Sequence, residues 1–342
     1  MSKILVTGGI GYIGSHTVVE LFQAGYTPVI IDNLSNSSLG ILDQIEKIIG
    51  VKPAFHQFDL CDEAKVNEFV AHNKDITGII HFAASKAVGE SVQKPLAYYR
   101  NNFFSLINLL TAYKDLPINF VFSSSCTVYG EPDQLPVSET APVKKAASPY
   151  GNTKQIAEEI LEETSLVAKN YNIIALRYFN PVGAHESGLI GELPIGVPQN
   201  LLPFITQTAI GKREKLTVFG NDYATKDGSC VRDYIHVVDL AKAHVAAIKL
   251  LEKGNPNGNY DVFNVGTGNG YSVLEAIIAF ENASGKKLNY EFGPRREGDI
   301  MQVWGDVTKS TTQLGWKAEL GIEEMMRSAW KWEQYLDKNP IS

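Results

Sequence analysis

A chain of 342 residues, 44% of them hydrophobic and 20% charged, has the length for two linked domains and the balance of a globular enzyme, with no low-complexity tract. Its formal charge of −7 comes without a Lys/Arg-rich block, which argues against a nucleic-acid surface or an anionic-membrane patch and sends any bound phosphate to a local pocket. Cys61, Cys126 and Cys230 are far apart and in no metal-ligand spacing, so neither a disulfide framework nor a metal site is expected. No apolar stretch reaches membrane-spanning length and residues 1–6 leave no room for a signal peptide, so the expected location is the cytoplasm.

Residues 4–7 are a short apolar, β-branched run, followed by glycines and then by Val18, Val19, Leu21 and Phe22 at helical spacing: strand, turn, helix. Gly25 ends the helix, and residues 27–31 (TPVII) form a second buried run ending at Asp32, which closes a βαβ unit. Apolar runs recur at residues 78–82, 119–122 and 172–176 with helical patterns between them, the alternation of a parallel sheet covered on both faces. The expected fold is α/β, a doubly wound parallel sheet of Rossmann type with a second, smaller α/β substrate domain. The helix over residues 96–114 carries Tyr98, Tyr99, Phe103, Phe104, Leu106, Ile107, Leu109 and Leu110, apolar on more than one face. It needs cover on two sides, from its own sheet and neighbours or from a second subunit in a two-fold dimer. After Asn180, glycines and prolines crowd ahead of a helical run over residues 201–211, which sets the expected division at residues 1–180 and 181–342. Residues 231–251 read as strand, Asp-capped turn and helix, so part of 231–262 is expected to return to the first domain.

Gly8, Gly11 and Gly14 (GGIGYIG) lie between the first strand and its helix, where missing side chains let the backbone approach a pyrophosphate at the helix N-terminus. A tight turn alone would explain a glycine triplet. The flanking strand and helix, and Asp32 placed 18 residues beyond Gly14 to accept both ribose hydroxyls, point to a dinucleotide. Asn33 and Leu34 follow where a 2′-phosphate would want arginine, which favours NAD over NADP. Asp59 reads either as an adenine-end ligand or as an ordinary turn cap. Residues 81–86 (HFAASK) end a strand with small side chains where a backbone passes close to a cofactor, and Lys86 reaches towards a ribose or a substrate.

Ser125 follows the strand at residues 119–122, and Tyr150 and Lys154 follow in SPYGNTK, with Ser148 as N-cap and Pro149 at the first helical position. The i, i+4 spacing stacks Tyr150 and Lys154 on one helical face. A free tyrosine, with a pKa of about 10, is a poor base at neutrality, but an ammonium and a nicotinamide cation nearby both favour its phenolate. Tyr150 is thus the candidate general base, with Ser125 bonding the same substrate hydroxyl.

Several separate segments now carry a resemblance: TGGIGYIGSH (7–16), DNLSN (32–36), AVGESVQKP (87–95), SSSCTVYG (123–130), RYFNPVGAH (177–185), VRDYIH (231–236) and PRREGD (294–299). Over nearly its whole length the chain resembles the extended short-chain dehydrogenase/reductases, most closely their UDP-glucose 4-epimerase family. The resemblance implies that Tyr12, Ile13, Asn33, Leu34, Ser35, Asn36, Ser37, Leu60, Phe82, Ala83, Ala84, Ser85, Lys86, Asn101 and Phe179 join the glycines, Asp32, Asp59, Ser125, Tyr150 and Lys154 around NAD. It implies a nucleotide sugar in the second domain, with Asn180, Asn200 and Leu201 beside the diphosphate and sugar and Thr217, Val218 and Phe219 beside uracil. Arg232 and Arg296 would take the diphosphate, Asp299 the uridine ribose, and Lys86, Ser125 and Tyr150 the sugar; arginine pairs phosphate oxygens bidentately, and a flat ring suits an aromatic neighbour.

The activity implied is inversion at C4 of a UDP-hexose: Tyr150 takes the C4 hydroxyl proton, hydride passes to NAD, the keto sugar turns over, and both return. Val303 stands where some members carry a tyrosine that walls off the C2 side of the sugar. UDP-GlcNAc and UDP-GalNAc are therefore expected substrates beside UDP-glucose and UDP-galactose. Cys126 replaces the usual alanine and, with no histidine partner evident, reads as packing. A nucleotide-sugar 4,6-dehydratase would need an Asp/Glu pair where Cys126, Thr127 and Val128 stand. A net dehydrogenase would keep the same cofactor site, whereas a non-catalytic NAD-binding regulator has no need of Ser125, Tyr150 and Lys154 together.

Overall fold

The computed structural model describes residues 1–296 and 299–341, so Glu297 and Gly298 of the PRREGD segment lie outside the described residues. The first βαβ unit forms as the pattern predicts, as β1 (Lys3–Thr7), α1 (Tyr12–Gln23) and β2 (Thr27–Asp32). The alternation continues through α2 (Gly40–Ile49), β3 (Ala54–Gln57), α3 (Glu63–His72), β4 (Ile76–His81), α4 (Val88–Gln93), α5 (Pro95–Ala112), β5 (Ile118–Ser123), α6 (Pro149–Val167) and β6 (Tyr171–Tyr178). The chain then leaves the sheet through β7 (Asn180–Val182), α7 (Leu201–Ala209), β8 (Leu216–Phe219), β9 (Val231–Arg232) and β10 (Tyr234–His236). It returns with α8 (Val237–Lys253) and β11 (Tyr260–Val265), and finishes through β12 (Tyr271–Ser272), α9 (Val273–Ser284), β13 (Tyr290–Gly293), β14 (Gln302–Val303) and α10 (Ile322–Lys338).

Seven strands pair in parallel in the order β11-β6-β5-β4-β1-β2-β3, the doubly wound sheet expected from the alternation. Successive residues of a strand face opposite sides, so Ile4 and Val6 join one core with α1 and α8 while Leu5 joins the other with α3, α5 and α6. Both faces are covered, which is why these strands read as continuous apolar runs. Strand order reverses between β1 and β4, and this places the crevice outside the carboxyl ends of the strands. A third core, around Ile205, Val218, Ile277, Phe280, Met325 and Trp330, underlies α7, α9, α10 and the parallel pair of β8 with β13.

Two boundaries differ from expectation. Helix α5 spans Pro95–Ala112, with Tyr98, Leu106, Leu109 and Leu110 buried and Leu96, Phe104 and Ile107 exposed. The cap of α8 is His236, whose Nδ1 accepts the Val238 N–H at 3.1 Å. The expected aspartate, Asp239, sits inside the first turn because its carboxylate is used elsewhere, accepting the backbone N–H groups of Glu319 and Leu320 at 2.9 and 2.8 Å. Among the described residues no helix is long and apolar enough to cross a membrane.

Candidate active site

The carboxyl ends of β1, β2, β4, β5 and β6 deliver most of the candidate residues to one crevice. Gly8 has φ +67, a left-handed conformation that favours glycine, and a Cβ there would stand 3.1 Å from the Ala83 nitrogen. A Cβ on Gly14 would lie 2.2 Å from the Gly8 carbonyl oxygen, so this glycine lets α1 close onto its own loop. Gly11 is the N-cap of α1, with no side-chain cap and no acidic residue in the first turn. Tyr12 and Ile13 begin that turn, and the Tyr12 hydroxyl donates to the Gly183 carbonyl at 2.7 Å, tying α1 to the loop beyond β7. The unclaimed amides and the helix dipole suit a pyrophosphate.

At the end of β2, Asp32 is buried and its Oδ1 accepts the Leu34 N–H at 2.9 Å and the Ser37 hydroxyl at 2.7 Å. Leu34 has φ 61, which folds Asn33, Leu34, Ser35, Asn36 and Ser37 back around that carboxylate. Nothing cationic stands in this run, and a carboxylate repels a 2′-phosphate, so the pocket fits NAD. Asp59 lies beyond the end of β3 and combines a turn cap with a place at the ribose loop. Its Oδ1 accepts the Cys61 N–H at 2.8 Å as a turn does, while Oδ2 accepts from Asn33 at 3.1 Å and so faces that loop. The Leu60 side chain is buried in the core, and its carbonyl accepts from Asn108 of α5 at 2.8 Å.

The Phe82, Ala83, Ala84, Ser85 and Lys86 segment leaves β4 beside the glycine loop, with the Phe82 N–H on the Thr7 carbonyl at 3.1 Å. Asn102, buried on α5, fixes it: its Oδ1 accepts the Ser85 N–H at 2.8 Å, and its amide donates to the Ser85 carbonyl and to Thr153 Oγ1 on α6 at 3.1 and 3.0 Å. The sequence points instead to its neighbour Asn101, which donates to Asn102 at 3.0 Å. An asparagine on an apolar helix face is the one signal the sequence offers for Asn102.

Ser125, Tyr150 and Lys154 converge at the end of β5. Ser148 caps α6 by accepting the Gly151 N–H at 3.2 Å and Pro149 opens it, which sets the next residue, Tyr150, against the strand end. Ser125 Oγ accepts the Thr127 N–H at 3.2 Å and stands beside the Tyr150 phenol. Burial pushes that phenol above its ordinary value, and Ser125 opposes the rise. The Lys154 ammonium is buried, donates to the Ser123 carbonyl at 2.7 Å and lies 5.9 Å from the centre of the Tyr150 ring. Burial pulls its pKa down to about 7, with the Glu158 charge opposing. Cys126 beside them is pushed up to about 12, chiefly by burial, so its thiol is inert near neutrality.

Further residues line the far wall. Phe179 is buried at the end of β6, and a Cβ on Gly305 would lie 2.4 Å from its ring. Arg232 donates to Asp299 at 3.4 Å, and Arg296 pairs with the same carboxylate at 3.3 Å while lying 5.5 Å from the centre of the exposed Phe219 ring. Thr217 is half-buried next to Phe219, whereas the Val218 side chain points into the core. Val303 is buried with Val128, Tyr129, Val137 and Phe179, one strand from Arg232. Asn200 precedes the half-buried Leu201 at the start of α7 and donates to Glu192 at 2.6 Å, and Lys86 lies 3.5 Å from the same carboxylate. Glu192, which no motif marks, thus bridges the two walls. Asn180 Oδ1 and Thr127 Oγ1 are buried without a protein partner, as polar groups facing a ligand are. Among the described residues no cluster of side chains suits a metal ion.

The family model described as GDP-mannose 4,6 dehydratase matches residues 5–329. The chain is 50% identical to the UDP-glucose 4-epimerase of Yersinia pestis, over 98% of each protein. The chain belongs to the UDP-glucose 4-epimerase family. Solved structures of the family superpose closely. The enzyme of Stenotrophomonas maltophila with bound NAD and formylated UDP-arabinopyranose is 44% identical with a TM-score of 0.94, and that of Bifidobacterium longum in complex with NAD+ and UDP is 46% identical with a TM-score of 0.93, each over 99% of both chains.

Because the pKa of Lys154 lies below that of a free lysine, its charge costs stability in full below about pH 7, and the cost fades as the pH rises towards ~10.4. Lys154→Met is therefore expected to gain thermal stability relative to the parent at pH 6 and to lose that advantage at pH 10, as read by melting curves at the two values.

Proposed function

We propose that this protein inverts C4 of UDP-glucose and UDP-galactose with NAD held throughout the cycle, and that UDP-GlcNAc and UDP-GalNAc enter the same pocket. The observation that carries the reading is the buried Ser125–Tyr150–Lys154 cluster opening onto the glycine-lined crevice. In this reading residues 1–180, with part of 231–262, form the NAD domain and residues 181–342 the UDP-sugar domain. Free cysteines fit a cytoplasmic location.

Bound NAD+ supplies a hydride acceptor at C4 and a donor for the return. The protein's work is proton transfer and orientation. Tyr150, as phenolate, takes the proton from the C4 hydroxyl and later gives it back to the C4 oxygen. Lys154 favours the phenolate by its charge, against the burial that opposes it, and Ser125 aligns the hydroxyl through its own hydrogen bond. Arg232, Arg296 and Asn180 grip the diphosphate while Asp299 holds the ribose, so UDP supplies the binding energy and the hexose remains free to present either face. Asn200 and Lys86, both on Glu192 in this structure, reach the sugar from opposite walls.

The dehydratase named by the family model requires an acid and a base just after the catalytic serine. Cys126 and Thr127 stand there, and a thiol pushed up to about 12 supplies neither at neutral pH. The exposed apolar residues of α4 and α5, Val88, Val92, Leu96, Phe104 and Ile107, favour a two-fold dimer built on this face.

Tyr150→Phe is expected to lower kcat by about 10²–10⁴-fold while NAD stays bound, checked by turnover of UDP-galactose and by the cofactor content of the purified protein. NMR of the products should show UDP-GalNAc converted to UDP-GlcNAc, and Val303→Tyr should cut that conversion about 100-fold while UDP-galactose turnover stays within a few-fold. If the variant discriminates no better than the parent, Val303 does not set the C2 space. Light scattering should return twice the 37.6 kDa chain mass, with Leu96→Lys shifting it towards the monomer.

A further inference from the structure

Three consecutive serines begin at the last residue of β5, and each faces a different residue of α6. The Ser123 carbonyl accepts from Lys154 at 2.7 Å, Ser124 Oγ donates to Glu158 Oε1, and Ser125 stands beside the Tyr150 phenol. Tyr150, Lys154 and Glu158 are spaced i, i+4, i+8, one helical turn apart on a single face. Strand end and helix thus meet at three successive points, two of them hydrogen-bonded. The first two, at Tyr150 and Lys154, are the proposed chemistry. The third is used by nothing in that chemistry, yet it is built as tightly: Ser124 and Glu158 are buried, and Arg177 on β6 closes a bidentate ion pair with Glu158, Nε at 3.0 and 3.1 Å and Nη2 at 2.6 Å.

A buried carboxylate–guanidinium pair of this kind is a poor source of stability, because desolvation consumes most of the attraction. Its geometry serves another purpose. We propose that Glu158 is a positioning residue for the epimerisation, holding the end of β5 through Ser124 so that Ser123 and Ser125 meet Lys154 and Tyr150, and presenting its negative charge to Lys154 from one turn away. This rests on the Tyr150–Lys154 reading above. Arg177 has the complementary task. It compensates Glu158 from the side of β6, donates to the Glu139 carbonyl at 3.3 Å and stacks 4.9 Å from the centre of the Tyr129 ring, so the carboxylate is neither free to swing nor left without a partner.

The other titratable groups near this line are His81 on β4, Tyr98 on α5, Cys126 after β5 and Tyr178 on β6, with Tyr129, Glu139 and Tyr260 beside Glu158 and Arg177. Burial raises the tyrosines and the thiol and lowers His81 to about 3, so none of these gains or loses charge in the range where the enzyme is assayed. Glu139 is raised as well, by burial, and lies on the far side of Arg177. The charges that set the local field are therefore Lys154, Glu158 and Arg177.

The test uses the NAD-loaded enzyme with UDP-galactose. Ser124→Ala removes only the Ser124–Glu158 contact and leaves Glu158 on Arg177, so it leaves no buried charge unpaired. It is expected to lower kcat about five- to tenfold with KM and NAD content unchanged. Glu158→Gln removes a negative charge that favours the protonated form of Lys154, so the limb of the kcat–pH profile set by Lys154 should move to lower pH. A merely structural role would lower the melting temperature without moving that limb. Wild-type kcat in Ser124→Ala overturns the proposal whether or not Glu158→Gln folds, and so does a folded Glu158→Gln whose scaled profile superimposes on the parent. Full activity in Tyr150→Phe would instead remove the underlying reading of the site, so the two failures are distinguishable.

Discussion

The placement of an ammonium inside the protein, at the end of a parallel sheet, governs the rest of this molecule. Lys154 lies against the Phe122 ring and bonds the Ser123 carbonyl, out of reach of bulk water. Burial disfavours its charge, and it equally disfavours the phenolate of Tyr150, so each group alone is driven towards neutrality. Brought together, an ammonium and a phenolate would offset each other's cost. The two groups stand 5.9 Å apart, nitrogen to ring centre, and out of bulk water, which is the setting that the proposed proton transfer uses.

That arrangement demands precision between a strand and a helix. Strand β5 and helix α6 meet over the serine triplet, with the Ser148 cap and Pro149 fixing where α6 begins. The sheet contributes by ending β1, β2, β4 and β5 at nearly the same register, with β6 running slightly further, so the glycine loop, Asp32, the Phe82–Lys86 segment and the serines need no long excursions to reach one crevice. Side chains packed into both faces keep those ends from shifting relative to one another.

The outer wall is tied on by polar contacts of a different kind. Tyr12 reaches Gly183, Lys86 and Asn200 share Glu192, and Arg232 and Arg296 share Asp299. These are partly exposed pairs, individually weak and able to exchange partners with an anionic ligand. The buried Asp233 is the exception. Accepting from Thr267 and Gly268 at 2.7–3.0 Å, it locks the loop after β11 against β9 and β10 and supports Arg232 from the next position in the chain.

Local spacing in the sequence determined the glycine loop, the strand ending at Asp32, the capped helix that stacks Tyr150 on Lys154, and the alternation that makes the sheet parallel. Each depends on residues a few positions apart, where backbone geometry alone fixes the outcome. Glu192 and the Glu158–Arg177 pair left no such trace, and Asn102 only that of an asparagine on an apolar helix face, because what matters about them is a partner on another element: Asn102 meets Ser85 and Thr153, Glu192 meets Lys86, and Glu158 meets Ser124. The same holds for the cap of α8, where Asp239 has the right residue type but is claimed by amides about 80 positions downstream. Only the tertiary structure decided these, since a side chain's burial and its partners are properties of the assembled layers and not of the spacing along the chain.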